Sequence, residues 1–375
     1  MVPNGWKKGL LDEGIELISG QHVEANCVNN LGVGIPYLTG PADFPNGKIV
    51  VTKFTNEGKK FSKKGDLLIT VKGSGTGKVI ESDNEYAISR QLMAIRPKTF
   101  DSKFVYYNLV SSLGRYEDAA AGLIPGISRE DVLHTPLLIP PIDEQMAIAQ
   151  ILSTWDQAIS ATEKLLKNSQ EQKKALMQQL LTGKKRLLDE NGVKFSDEWQ
   201  RIELGLLLDY QQPTPYLVES TAYSDSYETP VLTAGKTFIL GYTNESSGIY
   251  QDQLPVIIFD DFTTDSKYVN FPFKAKSSAM KILTAKKGVS IKFVFEAMQM
   301  LQFTVGGHQR HWISIFSNLV IPLPNKKEQQ QIEEVLSLAD QEIETLQKKL
   351  DCLQQEKKAL MQQLLTGKKR VKVAA

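Results

Sequence analysis

An α+β fold with a pseudo-two-fold internal repeat is predicted: two globular segments of mixed helix and strand, joined by two long helices that pair antiparallel. Three observations predict it. Lys173–Arg186 reads KKALMQQLLTGKKR and Lys357–Arg370 reads the same, 184 positions on (357 − 173). An apolar heptad leads into each copy. The segments outside these helices carry short β-rich runs broken by glycine and proline. The period is too long for a solenoid, so it signals two half-molecules, each a globular segment followed by the same long element.

The long element reads as a helix. In the first copy Ile148, Leu152, Trp155, Ile159, Thr162 and Leu166 step by four and three, and the phase runs on through Ser169, Lys173, Leu176 and Leu180. The second copy repeats it with Ile332, Leu336, Ala339, Ile343, Leu346, Leu350, Leu353, Lys357, Leu360 and Leu364. A seam with charges and glutamines elsewhere is a coiled-coil pattern. Pro140-Pro141 and Pro322/Pro324 precede the two helices, where proline ends one element or opens the next. Gly183 and Gly367 follow them, with Lys-Lys-Arg at the negative end of the helix dipole. A helix over residues 143–181 spans about 58 Å at ~1.5 Å per residue. Neither copy can bury its seam alone. The simplest partner is the other copy, and the globular segment between them sets the two antiparallel. The expected segments are therefore 1–142 (globular), 143–186 (helix), 187–325 (globular) and 326–375 (helix and tail).

The globular segments share a skeleton. Ile49-Val50-Val51, Asp66–Val71, Pro255–Asp260 and Lys292-Phe293-Val294-Phe295 read as β-rich. Trp6 and Trp199 each stand near the start of a segment. Pro36-Tyr37-Leu38-Thr39 parallels Pro230-Val231-Leu232-Thr233, and Gly126-Ile127-Ser128-Arg129 parallels Gly307-His308-Gln309-Arg310. Nearly identical helices with diverged segments describe one scaffold presenting two different surfaces.

Composition narrows the function. Net charge is +1, which excludes a uniformly basic polyanion binder but not a local basic surface. Residues 187–325 carry 11 Lys+Arg against 15 Asp+Glu, and residues 1–142 carry 16 against 15. The longest apolar runs, such as Pro255–Phe259, fall far short of the ~20 residues of a membrane span. The first residues show no apolar signal-peptide core, and two cysteines, Cys27 and Cys352, build no disulfide framework. A cytoplasmic location is the expectation.

The arrangement of variable segment, helix ending in LLTGKKR, variable segment and second such helix resembles the specificity subunit of type I restriction–modification systems. The resemblance covers the whole chain. Beyond the helices it is most specific in Thr229–Glu245 (TPVLTAGKTFILGYTNE) and Phe259–Val269 (FDDFTTDSKYV). One departure is Pro322-Leu323-Pro324-Asn325-Lys326-Lys327, which does not copy Pro140-Pro141-Ile142-Asp143. The resemblance implies two target recognition domains, each reading one half of a bipartite asymmetric site in double-stranded DNA. It implies a coiled coil that sets the spacer and docks two methyltransferase (modification) subunits, with restriction subunits joining. Adenine-N6 methylation and ATP-dependent cleavage would belong to those partners, which would use S-adenosylmethionine, ATP and Mg²⁺. This chain itself would bind no cofactor, hold no metal and carry no catalytic residue.

Candidate DNA contacts follow from side-chain chemistry. Lys72-Gly-Ser-Gly-Thr-Gly-Lys78 misses the phosphate-loop spacing at both ends, since Lys72 stands where glycine is needed and Val79 where Ser/Thr is needed. As a turn after the strand starting at Gly65 it offers Lys72, Ser74, Thr76 and Lys78 to phosphates, unless it is a solvated hairpin. His308, Gln309 and Arg310, with Ser128 and Arg129 as their counterparts, bring side chains that pair with adenine and guanine edges. The alternative is a polar loop before a strand over residues 313–320. Without a third ligand nearby, His308 and His311 do not make a zinc site. Lys267, Lys274, Lys276, Ser277 and Lys281, interleaved with aromatics, form the basic stretch of the second segment; a solvated charged face is the bland alternative. Asp260, Asp261 and Asp265 suggest a Mg²⁺ site only by acidity, and an aspartate-rich turn is the plainer reading. Two other functions remain open at this point: a coiled-coil protein adaptor and a metal-dependent nuclease.

Overall fold

The computed structural model describes residues 2–73, 75–121, 126–233, 237–301 and 311–372. It divides into two compact units: Met1–Lys164 with Lys348–Ala375, and Leu165–Gln347. Each unit thus takes a globular segment together with half of each long helix.

In the first unit a four-stranded antiparallel sheet has the order Ile15–Ser19, Leu92–Pro97, Leu67–Thr70, Val79–Glu81. Leu67–Thr70 is buried at all four positions. Its unbroken apolar run marks a strand covered on both faces. A second sheet of short strands includes the parallel pair Ile35–Leu38 and Tyr86–Ile88. Lys7–Leu10 pairs with Pro136–Ile139 as a separate antiparallel ribbon. Ser102–Ser111 is a helix opened by Asp101, whose carboxylate accepts from the Phe104 N–H at 2.8 Å.

The second unit repeats this topology. Its four-stranded sheet runs Leu208–Gln211, Met280–Ala285, Val256–Asp260, Ser266–Val269. Thr229–Leu232 pairs in parallel with Lys274–Ala275, and Gln200–Glu203 pairs with Val320–Leu323. Ser290 caps the helix Ile291–Gln299 by accepting from the Phe293 N–H at 3.1 Å.

The long helices are Ile142–Leu180 and Lys326–Leu365. Within each unit their halves run antiparallel. In the first unit Arg370 meets Glu144 while Lys357 meets Asp156. In the second, Arg186 meets Glu328 while Lys173 meets Asp340. Every seam position named above is buried or half-buried. Ile148 and Leu152 join the first core with Leu364, and Ile332 and Leu336 join the second with Leu180. Gly183 and Gly367, at φ 71° and 66°, end the two helices in the left-handed region. The N–H groups two residues later reach back to Gln179 and Gln363, a closure that glycine allows without Cβ strain.

Three expectations need correction. Lys292–Phe295 lies in a helix, because Phe293, Val294, Ala297 and Met298 form one buried stripe at helical spacing. Residues 49–51 form no strand; Phe54–Thr55 follows them instead. Residues 313–320 are not a strand either. A short helix His311–Ser314 and a 3-10 turn Phe316–Asn318 come first, and the strand starts at Val320. Trp312 and Phe316, four apart, both pack on Phe259 with ring centroids at 5.3 and 4.9 Å. That spacing suits a helical turn and not an alternating strand.

Candidate nucleic-acid interface

Each unit is tied to its long helices by the same clamp, built twice. In the first unit the Glu144 carboxylate accepts two bonds from Arg370, at 2.7 and 2.8 Å, and one from the Trp6 indole N–H at 2.9 Å. In the second, Glu328 accepts from Arg186 at 2.6 and 2.7 Å and from Trp199 at 3.0 Å. Each guanidinium also lies 5.5 Å from the centre of its tryptophan ring. The neighbouring glutamines act alike. Gln145 accepts from the Asp101 N–H and donates to Pro140 O; Gln329 accepts from the Ser290 N–H and donates to Pro324 O. The Glu-Gln pair therefore ties the end of LLTGKKR, the segment's first tryptophan and the cap of its helix to one point. Burial opposes ionisation of Glu144, yet Arg370 and Trp6 hold its carboxyl below the ordinary value.

Halfway along, the units part. Asp156 accepts from Tyr107 at 2.6 Å and pairs with Lys357. Burial and that carboxylate push the Tyr107 phenol far up. Asp340 pairs instead with Lys173 at 2.6 Å and Lys292 at 3.0 Å, and both lysines also reach the fully buried Glu296. Burial raises Asp340, but the two lysines outweigh it and hold the carboxyl low.

The sequence candidates fall into three groups. Lys72, Lys78, Ser128, Arg129, Lys267 and Lys276 are exposed. Lys72 and Lys78 flank the turn joining Leu67–Thr70 to Val79–Glu81, where the half-buried Thr76 donates to Gly73 O at 2.7 Å. Ser128 caps the short helix Arg129–Leu133 in a capping box with Asp131, and Arg129 reaches Ser19 at 3.3 Å. Among the described residues Lys267 pairs with Asp265, at 3.7 Å. Ser277 is half-buried and accepts from the Ala279 N–H.

Lys274 and Lys281 form the second group and are corrections. Each is about 2% exposed at its side chain. Lys274 bonds Glu245 at 2.6 Å and Ser247 O at 2.8 Å; Lys281 bonds Asp261 at 3.0 Å and Gln212 at 3.3 Å. A buried ammonium with its partners satisfied is a structural strut and is not presented to a phosphate. The third group, Ser74, His308, Gln309 and Arg310, lies outside the described residues.

The acidic trio is spent on the fold. Asp260 accepts from the Phe262 N–H and Thr263 hydroxyl, Asp261 from Lys281 and the Trp312 N–H, and Asp265 from the Ser266 N–H. Among the described residues no group of three or more His, Cys, Asp or Glu side chains is placed to hold a metal ion. Among them, too, no helix is long and apolar enough to cross a membrane.

Residues that sequence reasoning missed stand in a cleft of about 370 Å³ in the first unit, with His22, Tyr37, Lys53, Arg90 and Gln91 in its lining. The only hint was Arg90-Gln91 between two strands, the same side-chain types singled out at Gln309-Arg310.

Residues 3–172 and 196–355 each match the family model described as the type I restriction modification DNA specificity domain. A stretch of 132 residues is 54% identical to the type I restriction enzyme EcoR124I/EcoR124II specificity subunit of Escherichia coli, covering 34% of this chain and 32% of that protein. A second stretch of 191 residues is 30% identical to the MjaX specificity subunit of Methanocaldococcus jannaschii, covering 50% and 45%. The chain thus spans a third to just under half of these two relatives in the matched stretches. The crystal structure of an S subunit from M. genitalium superposes with a TM-score of 0.67 over 97% of this chain and 98% of that one, at 18% identity. That likeness is one of fold.

Proposed function

The chain belongs to the type I restriction modification DNA specificity family, and from that premise we propose that it is a non-catalytic subunit which reads DNA sequence for partner enzymes. Each globular segment reads one half of a bipartite asymmetric site in double-stranded DNA. The paired helices space the halves and dock two methyltransferase subunits, and restriction subunits join that assembly. Adenine-N6 methylation and ATP-dependent cleavage are the partners' chemistry, with S-adenosylmethionine, ATP and Mg²⁺ as their cofactors; this chain binds none of them. It works in the cytoplasm.

One observation carries this reading: the Glu144 and Glu328 clamps agree bond for bond, while the exposed polar side chains of the two globular segments differ. An adaptor with two equal docking ends has no use for diverged surfaces; a reader of two unlike half-sites needs them. The near-neutral charge of each segment also fits a subunit whose tight DNA binding draws on partners for further phosphate contacts.

The test uses the full chain assembled with the modification subunit of its own system. A single bipartite motif should be methylated in host DNA, and the isolated chain with Mg²⁺ should cut nothing. Cleavage by the isolated chain, or methylation without sequence preference, overturns the reading.

A further inference from the structure

Which side chains discriminate bases is left open by the family. The loop between the parallel strand Tyr86–Ile88 and the sheet strand Leu92–Pro97 has an unusual division of labour. Its backbone is tied down throughout. The Ser89 N–H donates to Leu38 O at 2.9 Å, the Ser89 hydroxyl donates to Thr39 O at 2.7 Å, and the Leu92 N–H returns to Ser89 O at 3.0 Å. The Val71 N–H donates to Gln91 O at 2.8 Å, fastening the loop to the end of the central strand. Gly20 permits this packing, since a Cβ there would stand 2.0 Å from Ser89 O. Gly40 is bare beneath Gln91, where a Cβ would stand 2.3 Å from the amide oxygen.

The side chains on this fixed backbone are left open. Arg90 and Gln91 are exposed at the cleft that Tyr37 and Lys53 also line. Neither the guanidinium nor the amide has a hydrogen-bond partner among the described residues. A polar pair held on a rigid loop, with donors and acceptors unspent, is preorganised for an outside partner.

The second unit has the same loop in the same place. Lys274–Ala275 is the parallel strand, Met280–Ala285 the sheet strand, and the Lys276 N–H donates to Leu232 O at 2.9 Å as Ser89 does to Leu38 O. There the three residues Ser89-Arg90-Gln91 give way to the four residues Lys276–Ala279, one longer, with Lys276 in the place of Ser89 and Ser277 and Ser278 following it.

We propose that this loop is the base-discriminating element of each reader: Arg90 and Gln91 read base edges for the first half-site, and Lys276 with Ser278 does so for the second. The guanidinium and amide are the forks that pair bidentately with guanine and adenine, while an ammonium and hydroxyls make looser contacts. Unlike loops at matching places in the two units then give unlike half-sites. The inference rests on the DNA-reading function proposed above.

The experiment compares the methylated motif made by the full complex carrying wild-type chain, Arg90→Ala, Gln91→Ala, Arg90→Lys or Lys276→Ala. Arg90→Ala and Gln91→Ala should each relax one position of one half-site, on the order of tenfold to a hundredfold in preference. The other half-site and the spacer should stay as they were. Arg90→Lys keeps the charge and loses the fork, so it should hold overall affinity but not base preference. Lys276→Ala should move only the opposite half-site. All three side chains are exposed, so thermal melting should match wild type. An unchanged motif, or a uniform loss of affinity at every sequence, overturns the inference while the DNA-reading function stands. A wild-type complex that methylates without a motif removes the function and the inference with it.

Discussion

The Glu144 clamp and the Glu328 clamp use the same partners in the same geometry, yet they do not share the same burial. Glu328 is fully buried and its Arg186 is 17% exposed; Glu144 is 5% exposed and its Arg370 is 43% exposed. A carboxylate and guanidinium held out of water leave a costly orphan when one is removed, whereas an exposed guanidinium is rehydrated. Equal hydrogen-bond lists therefore conceal unequal energies. The same comparison explains why the clamp sequence is copied while the loops are not. An arginine and a tryptophan converge on each glutamate from far-apart parts of the chain, and no member of the trio can change alone. The Arg90 guanidinium and Gln91 amide make no hydrogen bond among the described residues, so these side chains are free to differ.

The largest break in this comparison comes from the seam. Leu336 is fully buried and Leu346 is half-buried. Leu336→Asp sets an unpaired carboxylate in the second core and should destabilise by about 4 kcal/mol or more. Leu346→Asp should cost clearly less, because water reaches the new charge. Equal losses in thermal or urea unfolding would mean that the helices are not packed as described.

Next come the clamps themselves. Glu328→Ala should cost about 3–5 kcal/mol, as for a broken buried pair. Glu144→Ala should cost about 1–3 kcal/mol, nearer a lost set of charge-assisted bonds. Urea midpoints of the two variants test the order, and a reversal refutes the role given to burial.

The smallest effect is on pH dependence. Glu144 and Asp340 titrate lower in the folded chain than their ordinary values of 4.5 and 3.8. A depressed carboxyl contributes stability that is fully present above the unfolded value and is lost as pH falls through the folded one. Stability should therefore be flat from pH 7 to about 5 and fall below about 4. Asp340→Asn should start lower at pH 7 and lose less on acidification. The same acid slope in wild type and variant would show that Asp340 contributes nothing through its charge.

Much of this fold was legible because periodicity is local. The heptad seam, the stopping glycines and the duplicated LLTGKKR need only neighbours in sequence to be read. What escaped depended on partners far along the chain. Lys274 looked like a surface cation because Glu245 stands 29 residues earlier, and Lys281 because Asp261 stands 20 earlier. Met280–Ala285 did carry a warning: a lysine inside a strand buried on both faces must be paired. Lys292-Phe293-Val294-Phe295 read as a strand over four residues and shows its helical stripe only over nine. Arg90-Gln91 gave too short a pattern to stand out; its meaning lies in the fixed backbone beneath it, which no spacing reveals.

The central claim is that one scaffold carries two independent readers, and domain exchange tests it most directly. Residues 204–319 can be replaced by the matching stretch of another family member, leaving Trp199, both ribbon strands and both long helices in place. The methylated motif of the resulting complex is then determined. The account predicts that one half of the motif takes the donor's sequence while the other half and the spacer are retained. A change in both halves, with a stably folded chain, would contradict it.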